Sequence, residues 1–444
     1  MPAVIAVELG LEISELSDDA SAWDLCDAAP LYGFSESRAR ILYGRLQDGL
    51  ECYITKRPLL RYDFAKEWNN LGYGHVRTDG SEWSIACNAR SASMDTGLLA
   101  GVYCGDEMVT VYSSLSVLNH SVILWVNRAV GLVDTQEFRL LESFITNYKR
   151  NRFPCLPLIR EIPYGYDAMV SMRLDCDESI SSASGLFEFY RDKNIPFSLA
   201  IKTAQQTCET DYQLLSEIVT HGGSILSHTV NHKNNWGVDI EDARIEARES
   251  KKWLLEHIKN IEKIDYAVSP FHQNPDYAVD ALALEGYKGF ISGIISNDPQ
   301  YLVSRAGEVR TMNDIVTHSQ QCMLHGDCLL KEADDPLAVY KKSADSCMTS
   351  GAIFGYLDHP FSERYQYGWV SENQRINIHQ DWIEHLKQFG RVLFENEEKT
   401  LIHVRTRASS NIWLENGVVR YQFEKYLSDY PLAYEYKVTI GRMK

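Results

Sequence analysis

The feature that most restricts the fold is the alternation of short apolar runs with amphipathic stretches between residues 168 and 389. Strands are predicted at Ala168 to Asp175, Phe197 to Ile201, Ser224 to Ser227, Tyr266 to Ser269, Gly289 to Ser292 and Ala352 to Leu357. Helices are predicted between them at Ser182 to Lys193, Asp211 to His221, Ile240 to Asn260, Tyr277 to Glu285, Asp335 to Thr349 and Glu372 to Phe389. Each helix supplies the crossover that two parallel strands need. The pattern therefore implies a parallel α/β sheet whose ligand site lies at the carboxyl ends of its strands. The strand count falls short of the eight that a closed barrel requires.

Pro154, Pro157 and Pro163 break both helix and ladder and mark a boundary at about 150 to 165. Before it, Leu50 to Thr55 alternates like a strand, Val109 to Tyr112 and Ser121 to Val126 read as buried strands, and Thr135 to Tyr148 reads as an amphipathic helix. After about residue 400, Asn416-Gly417 between apolar runs signals a hairpin and Leu432 to Ile440 a further strand. The expected organisation is an α/β unit over 1–150, the repeating unit over 165–395 and a small β unit over 400–444.

A chain of 444 residues with a formal charge of −17 is long enough for several cores. Its charge also repels nucleic acid and anionic membrane, so a neutral or cationic small substrate is the expected partner. No signal-peptide pattern opens the sequence, no apolar stretch has the length of a membrane span, and the ten cysteines are scattered without a C-x-x-C. Reduced thiols and a cytoplasmic location are the expectation.

Two stretches carry chemistry. Asp175-Cys176-Asp177-Glu178 places three carboxylates at the end of the first predicted strand of the repeat, where they repel unless a cation, a shared proton or solvent relieves them. Helix capping is the plainer account of such acids. His228-Thr229-Val230-Asn231-His232 follows the strand at 224 to 227, so both imidazoles can face one point, as metal ligation requires. Two solvent-facing histidines in a polar loop remain the alternative.

The histidine pair is similar to the His-Ser/Thr-x-x-His motif of polysaccharide deacetylases (the NodB-homology, or carbohydrate esterase family four, enzymes). Leu174-Asp175-Cys176-Asp177 resembles their Asp-Asp motif, Val268-Ser269-Pro270-Phe271 their Arg-x-Pro-Tyr segment, and Tyr356-Leu357-Asp358-His359-Pro360 their Leu-x-His segment. The four fall in the family's order over residues 165 to 395. The resemblance implies a distorted parallel (β/α) barrel with a divalent metal, most often zinc, held by Asp177, His228 and His232. It further implies Asp175 as general base, His359 as general acid and the Phe271 backbone N–H as an oxyanion donor.

Three departures bear on this. Cys176 separates the two acids, so either Asp175 or Asp177 could be the ligand and the other the base. Val268 replaces the arginine that holds the family's catalytic aspartate, so the base is either oriented by another group, Arg173 or Arg160, or held more weakly. The family's Asp-Trp motif has no clear counterpart beyond Asn297-Asp298. Trp236, Phe271, Tyr356 and Trp369 are candidates for stacking on a sugar, although aromatic residues are more often core, and His272 and His325 read as bystanders.

The leading expectation is a metal-dependent hydrolase that removes an acetyl or formyl group from the nitrogen of an amino sugar. Such a substrate suits polysaccharide, lipopolysaccharide or O-antigen biosynthesis. An amidase acting on a non-sugar carboxamide and a non-catalytic carbohydrate-binding module are the alternatives. The N-terminal unit could cover the site, bind more of a sugar chain or make a homo-oligomer contact.

Overall fold

The computed structural model describes residues 11–14, 39–44, 46, 49–58, 63–65, 75–77, 88–91, 97–118, 120–127, 135–293, 305–310, 314–320, 322–327, 329, 334–362 and 364–443. The N-terminal part contains a five-stranded antiparallel sheet built from β1 (Ala39–Tyr43), β2 (Lys56–Pro58), β3 (Leu98–Cys104), β4 (Glu107–Leu118) and β5 (Ser121–Val126), in the order β2-β1-β3-β4-β5. Helix α1 (Thr135–Thr146) packs against it through Leu140 and Phe144. Here the expectation of a strand at Leu50 to Thr55 fails. The Glu51 N–H bonds to Ser143 Oγ at 2.9 Å and the Tyr53 N–H to Gln136 Oε1 at 3.0 Å, so α1 side chains take the donors that a ladder would have used. β5 is half-buried rather than buried, because it is the edge strand.

After β6 (Leu158–Ile159), strands and helices alternate as the sequence pattern requires: β7 (Ala168–Cys176), α2 (Ser184–Asp192), β8 (Ser198–Ile201), α3 (Glu209–Thr220), β9 (Ser224–Ser227), α4 (Ile240–His257), β10 (Tyr266–Val268), α5 (Asp276–Leu284) and β11 (Gly289–Gly293). The repeat continues through β12 (Gly307–Arg310), β13 (Ile315–Gln320), β14 (Cys322–Met323), α6 (Ala338–Thr349), β15 (Phe354–Asp358), α7 (Glu372–Lys387), β16 (Val392–Glu395) and α8 (Glu397–Ala408). They form one ten-stranded sheet in the order β12-β13-β11-β10-β9-β8-β7-β15-β14, with β16 added beside the first half of β7. All pairs are parallel except β12 with β13.

The sheet is curled. A Cβ placed on Gly355 of β15 would sit 3.3 Å from His318 Cε1 of β13, although five strands separate the two in the sheet order. The curl gives β7 two buried faces. Val170, Met172, Leu174 and Cys176 belong to the core between sheet and helices. Met169 joins Ala200, Leu226, Val268 and Ile291 inside the curl, where Leu401 and Val404 of α8 fill the space. By strand alternation Arg173, Asp175 and Asp177 share this inner face.

The C-terminal stretch forms two hairpins. β17 (Ser410–Glu415) and β18 (Val418–Phe423) meet at Asn416-Gly417, both with positive φ, as expected for that dipeptide. The single strand expected over Leu432 to Ile440 is instead β19 (Ala433–Tyr436) and β20 (Thr439–Arg442), folded at Lys437 with φ of 56°. β19 also pairs with β6, and its Glu435 accepts from Arg139 Nη1 at 2.8 Å and Thr146 Oγ1 at 2.9 Å on α1. Arg305 extends this junction with contacts to Glu142 at 3.0 Å and Glu161 at 3.5 Å. Among the described residues no helix is long and apolar enough to cross a membrane.

Candidate metal centre

Cys176, Ile201, Ser227 and Ala267 are successive cross-strand partners on β7, β8, β9 and β10. Asp177 and His228 therefore each lie one residue past the same level, two strands apart, or roughly 10 Å along the sheet. The curl lets their side chains converge. Asp177 Oδ1 is 3.4 Å from His228 Nε2 and 3.7 Å from His232 Nε2, and one ligand atom from each residue falls within 4.8 Å of the others.

Local bonds aim these groups. His228 Nδ1 lies 3.0 Å from the Val268 carbonyl, to which its N–H donates, so that Nε2 is the ring nitrogen directed at the cluster. The His232 N–H donates to Thr229 Oγ1 at 2.9 Å, which gives the threonine of the histidine motif its local purpose. Thr229 and His232 both adopt positive φ, so the loop turns sharply enough to return the second imidazole to the first. Phe271, 43 % exposed, packs its ring 4.4 Å from that of His232 at the mouth of the site.

The donor set fits a cation. Among the described residues the buried Asp177 Oδ1 has no hydrogen-bond partner, and a carboxylate left so costs its desolvation without compensation. Burial, with Asp175 nearby adding to it against the pull of His228, raises the Asp177 carboxyl to about 6. Burial, reinforced by His228, lowers His232 to about 3, so its imidazole is neutral and able to ligate. One carboxylate and two imidazoles form a set that zinc and similar divalent metals accept.

Asp175 is held differently. Arg173, two residues earlier on the same face of β7, donates from Nε to Oδ1 at 2.7 Å and from Nη2 to Oδ2 at 3.2 Å. Burial pushes this carboxyl up, yet the Arg173 guanidinium and His228 outweigh it and hold it well below the usual range. Of the two candidate arginines, Arg173 is the one that touches Asp175; the Arg160 N–H donates to the Ala433 carbonyl on β19.

His359 completes the cluster from β15. Its Nε2 lies 3.7 Å from Asp177 Oδ2, and its Nδ1 lies 2.7 Å from Nε2 of His325. Tyr367 stacks on the His359 ring at 4.3 Å and 20°. Below it Asp358 accepts from Arg375 Nε at 2.6 Å, His379 Nε2 at 3.0 Å, Trp369 Nε1 at 3.2 Å and the His359 N–H at 2.7 Å.

Sequence reasoning took His325 for a bystander and did not single out Tyr367. The parallel register Met323↔Leu357 sets His325 beside His359, two residues beyond that pair. Trp236, Tyr356 and Trp369 are buried in the core and present no face to a substrate, leaving Phe271 of the four aromatic candidates. Asn297-Asp298 lies outside the described residues.

No family model and no curated protein matches this sequence. Solved structures similar to this chain include one described as a polysaccharide deacetylase from Mycobacterium smegmatis (13% identity, TM-score 0.41, 56% of this chain and 93% of that one). Another is a family 4 acetyl xylan esterase from Clostridium thermocellum in complex with a cobalt ion (9%, 0.36, 52% and 89%), and a third is an allantoinase (13%, 0.41, 55% and 92%). Pseudoenzymes of carbohydrate esterase family 4 are also among them. At this distance function has to be argued from the site's own side chains.

Proposed function

We propose that this protein is a metal-dependent hydrolase that removes an N-acyl group, acetyl or formyl, from an amino sugar, working inside a distorted (β/α) barrel. The observation that carries the reading is the buried, unpartnered Asp177 oxygen facing His228 and His232, with an arginine-held carboxylate beside it. The order of the four motifs supports the choice of substrate class.

Asp177, His228 and His232 would hold the metal, which supplies Lewis-acid polarisation of a carbonyl and acidification of a water when bound. Asp175, kept ionised by Arg173, accepts the proton of the attacking water. His359, fixed by His325 on one ring nitrogen and by Tyr367 across its face, and held by burial well below the usual imidazole range, passes to the nitrogen, as the C–N bond breaks, the proton that Asp175 took from the water. Phe271 shields the His232 side and offers its backbone N–H to the carbonyl oxygen.

The test is metal analysis after incubation with zinc, together with acetate or formate release from N-acylated glucosamine oligomers. One metal per chain, absent from His228→Ala, and acyl release are expected. Turnover of small non-sugar amides alone would overturn the substrate assignment. Stoichiometric metal retained by both His228→Ala and Asp177→Ala would overturn the ligand set.

A further inference from the structure

The segment between β15 and α7 carries two tyrosines that the ligand set does not use for binding a metal. Tyr367 stacks on His359 at 4.3 Å and 20°, and Tyr365 follows one ring further out, 6.0 Å from Tyr367 at 32°. Tyr365 is 43 % exposed, so its ring can be reached from solvent. The three rings make a row that leads outward from the imidazole nearest the reacting nitrogen.

This row is ordered before anything binds. The Tyr365 N–H donates to Ser362 Oγ at 3.1 Å and its carbonyl accepts from the Ser362 N–H at 2.9 Å. Tyr367 and Gly368 have φ of 48° and 76°, and a Cβ on Gly326 would come within 2.5 Å of the Gly368 backbone, so the two loops meet main chain to main chain. Groups already fixed in the free protein lose less freedom when a ligand arrives. Polar groups stand beside the ring: Arg364 Nη1 lies 3.3 Å from Glu178 Oε2, and the same guanidinium is 5.7 Å from the centre of Tyr365. Glu178 directly follows Asp177, which ties this pair to the metal ligands.

The direction of the proton says which part of a substrate meets the row. His359 serves the nitrogen, and that nitrogen remains with the sugar. The sugar therefore lies on the His359 side, while the acyl group lies towards His228, His232 and Phe271. His359 itself covers one face of Tyr367, which leaves the open ring of Tyr365 for a unit further along. A sugar ring offers C–H groups on its face and hydroxyls at its edge; the first suit the electron-rich face of an aromatic ring, the second a carboxylate that accepts and a guanidinium that donates.

We propose, resting on the hydrolase reading above, that Tyr365 is a platform for the sugar unit next to the one that loses its acyl group, with Glu178 and Arg364 bonding that unit's hydroxyls. The site then favours an oligosaccharide over a single amino sugar.

Binding is measured by calorimetry on the zinc-loaded Asp175→Asn protein, which keeps the probe intact, using triacetylchitotriose and N-acetylglucosamine. Acetate release from both is followed with Asp175 in place. The trimer is expected to bind about tenfold more tightly than the monosaccharide, the worth of one aromatic contact. Adding Tyr365→Ala should remove that advantage and raise KM for the trimer by about the same factor, with the loss in KM rather than kcat, and Tyr365→Trp should restore both. Arg364→Ala should weaken the trimer by about threefold, as for one exposed hydrogen bond. No saturable trimer binding, equal affinities for the two sugars, or trimer binding that survives Tyr365→Ala would overturn the platform, whatever the turnover. Tyr365-dependent trimer binding with no acetate released from either sugar would overturn the hydrolase reading and leave the platform standing.

Discussion

Two carboxylates stand at the ends of the paired strands β7 and β15, each facing imidazoles, and they do opposite things. Asp358 is fully buried and takes four donors, from Arg375, His379, Trp369 and the His359 backbone. Asp177 faces the imidazoles of His228 and His232, and among the described residues its Oδ1 has no hydrogen-bond donor. The same residue types thus make a scaffold where hydrogen bonding is complete and a ligand set where it is not. Composition alone does not separate the two; counting donors does.

The sharpest way to break this comparison is to remove each aspartate. Asp177→Ala is expected to lower hydrolytic turnover on the order of 10³-fold, since the Lewis-acid term is several kcal/mol and each 1.4 kcal/mol is about tenfold. The same change should leave the metal-free thermal midpoint nearly unaltered while abolishing stabilisation by added zinc, because the lost carboxylate had no donors to strand. Asp358→Ala should do the reverse, costing about 3 kcal/mol in urea unfolding because the buried Arg375 keeps Glu372 but loses its buried partner. Similar unfolding losses for the two variants would remove the distinction.

Arg173→Gln sharpens it further. The base loses its guanidinium while the metal ligands stay, so kcat should fall roughly 10- to 100-fold, as for other groups that orient reacting residues, with metal stoichiometry unchanged. A variant that loses metal along with activity would make Arg173 part of the ligand scaffold.

The smallest effect concerns a third kind of buried group, neutral and satisfied. His403 on α8 lies within reach of the Glu161 carbonyl (2.9 Å) and Ser428 Oγ (3.0 Å), and burial lowers its imidazole to about 4. The unfolded chain protonates near 6.5, so between about 6.5 and 4 it binds the proton that the fold refuses. Stability is complete above that range and falls with pH through it, by up to about 3 kcal/mol. Unfolding midpoints of His403→Gln at pH 7.5 and pH 5 should differ less than those of the unaltered chain.

The repeat of strands and helices was legible because each element carries its own period. β13 was not: Thr317 and His318 interrupt its apolar run, and inside the curl Glu397 of α8 meets His318 at 2.7 Å. α8 itself opens Glu397-Glu398-Lys399 and shows little amphipathic contrast. Within the site, Asp177, His228, His232 and His359 were visible through motif order. Cys176 between the acids, an irregularity in the sequence, becomes intelligible once β7 is buried on both faces, since it sends Cys176 to the helices and both aspartates inward. His325 was named but read as a bystander, because its partner lies 34 residues away and the β14–β15 register is what joins them.

The junction at Glu435 has a consequence for the order in which the molecule is assembled. Arg139 and Glu435 are 296 residues apart, and β6 finds its partner strand only when β19 exists. During synthesis the N-terminal sheet and the curled sheet can each form as they emerge, since domains fold as units. Their docking through Arg139, Thr146 and Glu435 has to wait until residues 433–442 leave the ribosome. Gln136, whose Nε2 donates to the Ser346 carbonyl at 2.7 Å, and Arg305, 3.0 Å from Glu142, can join the two units earlier, so the hairpin of β19 and β20 strengthens a contact already begun.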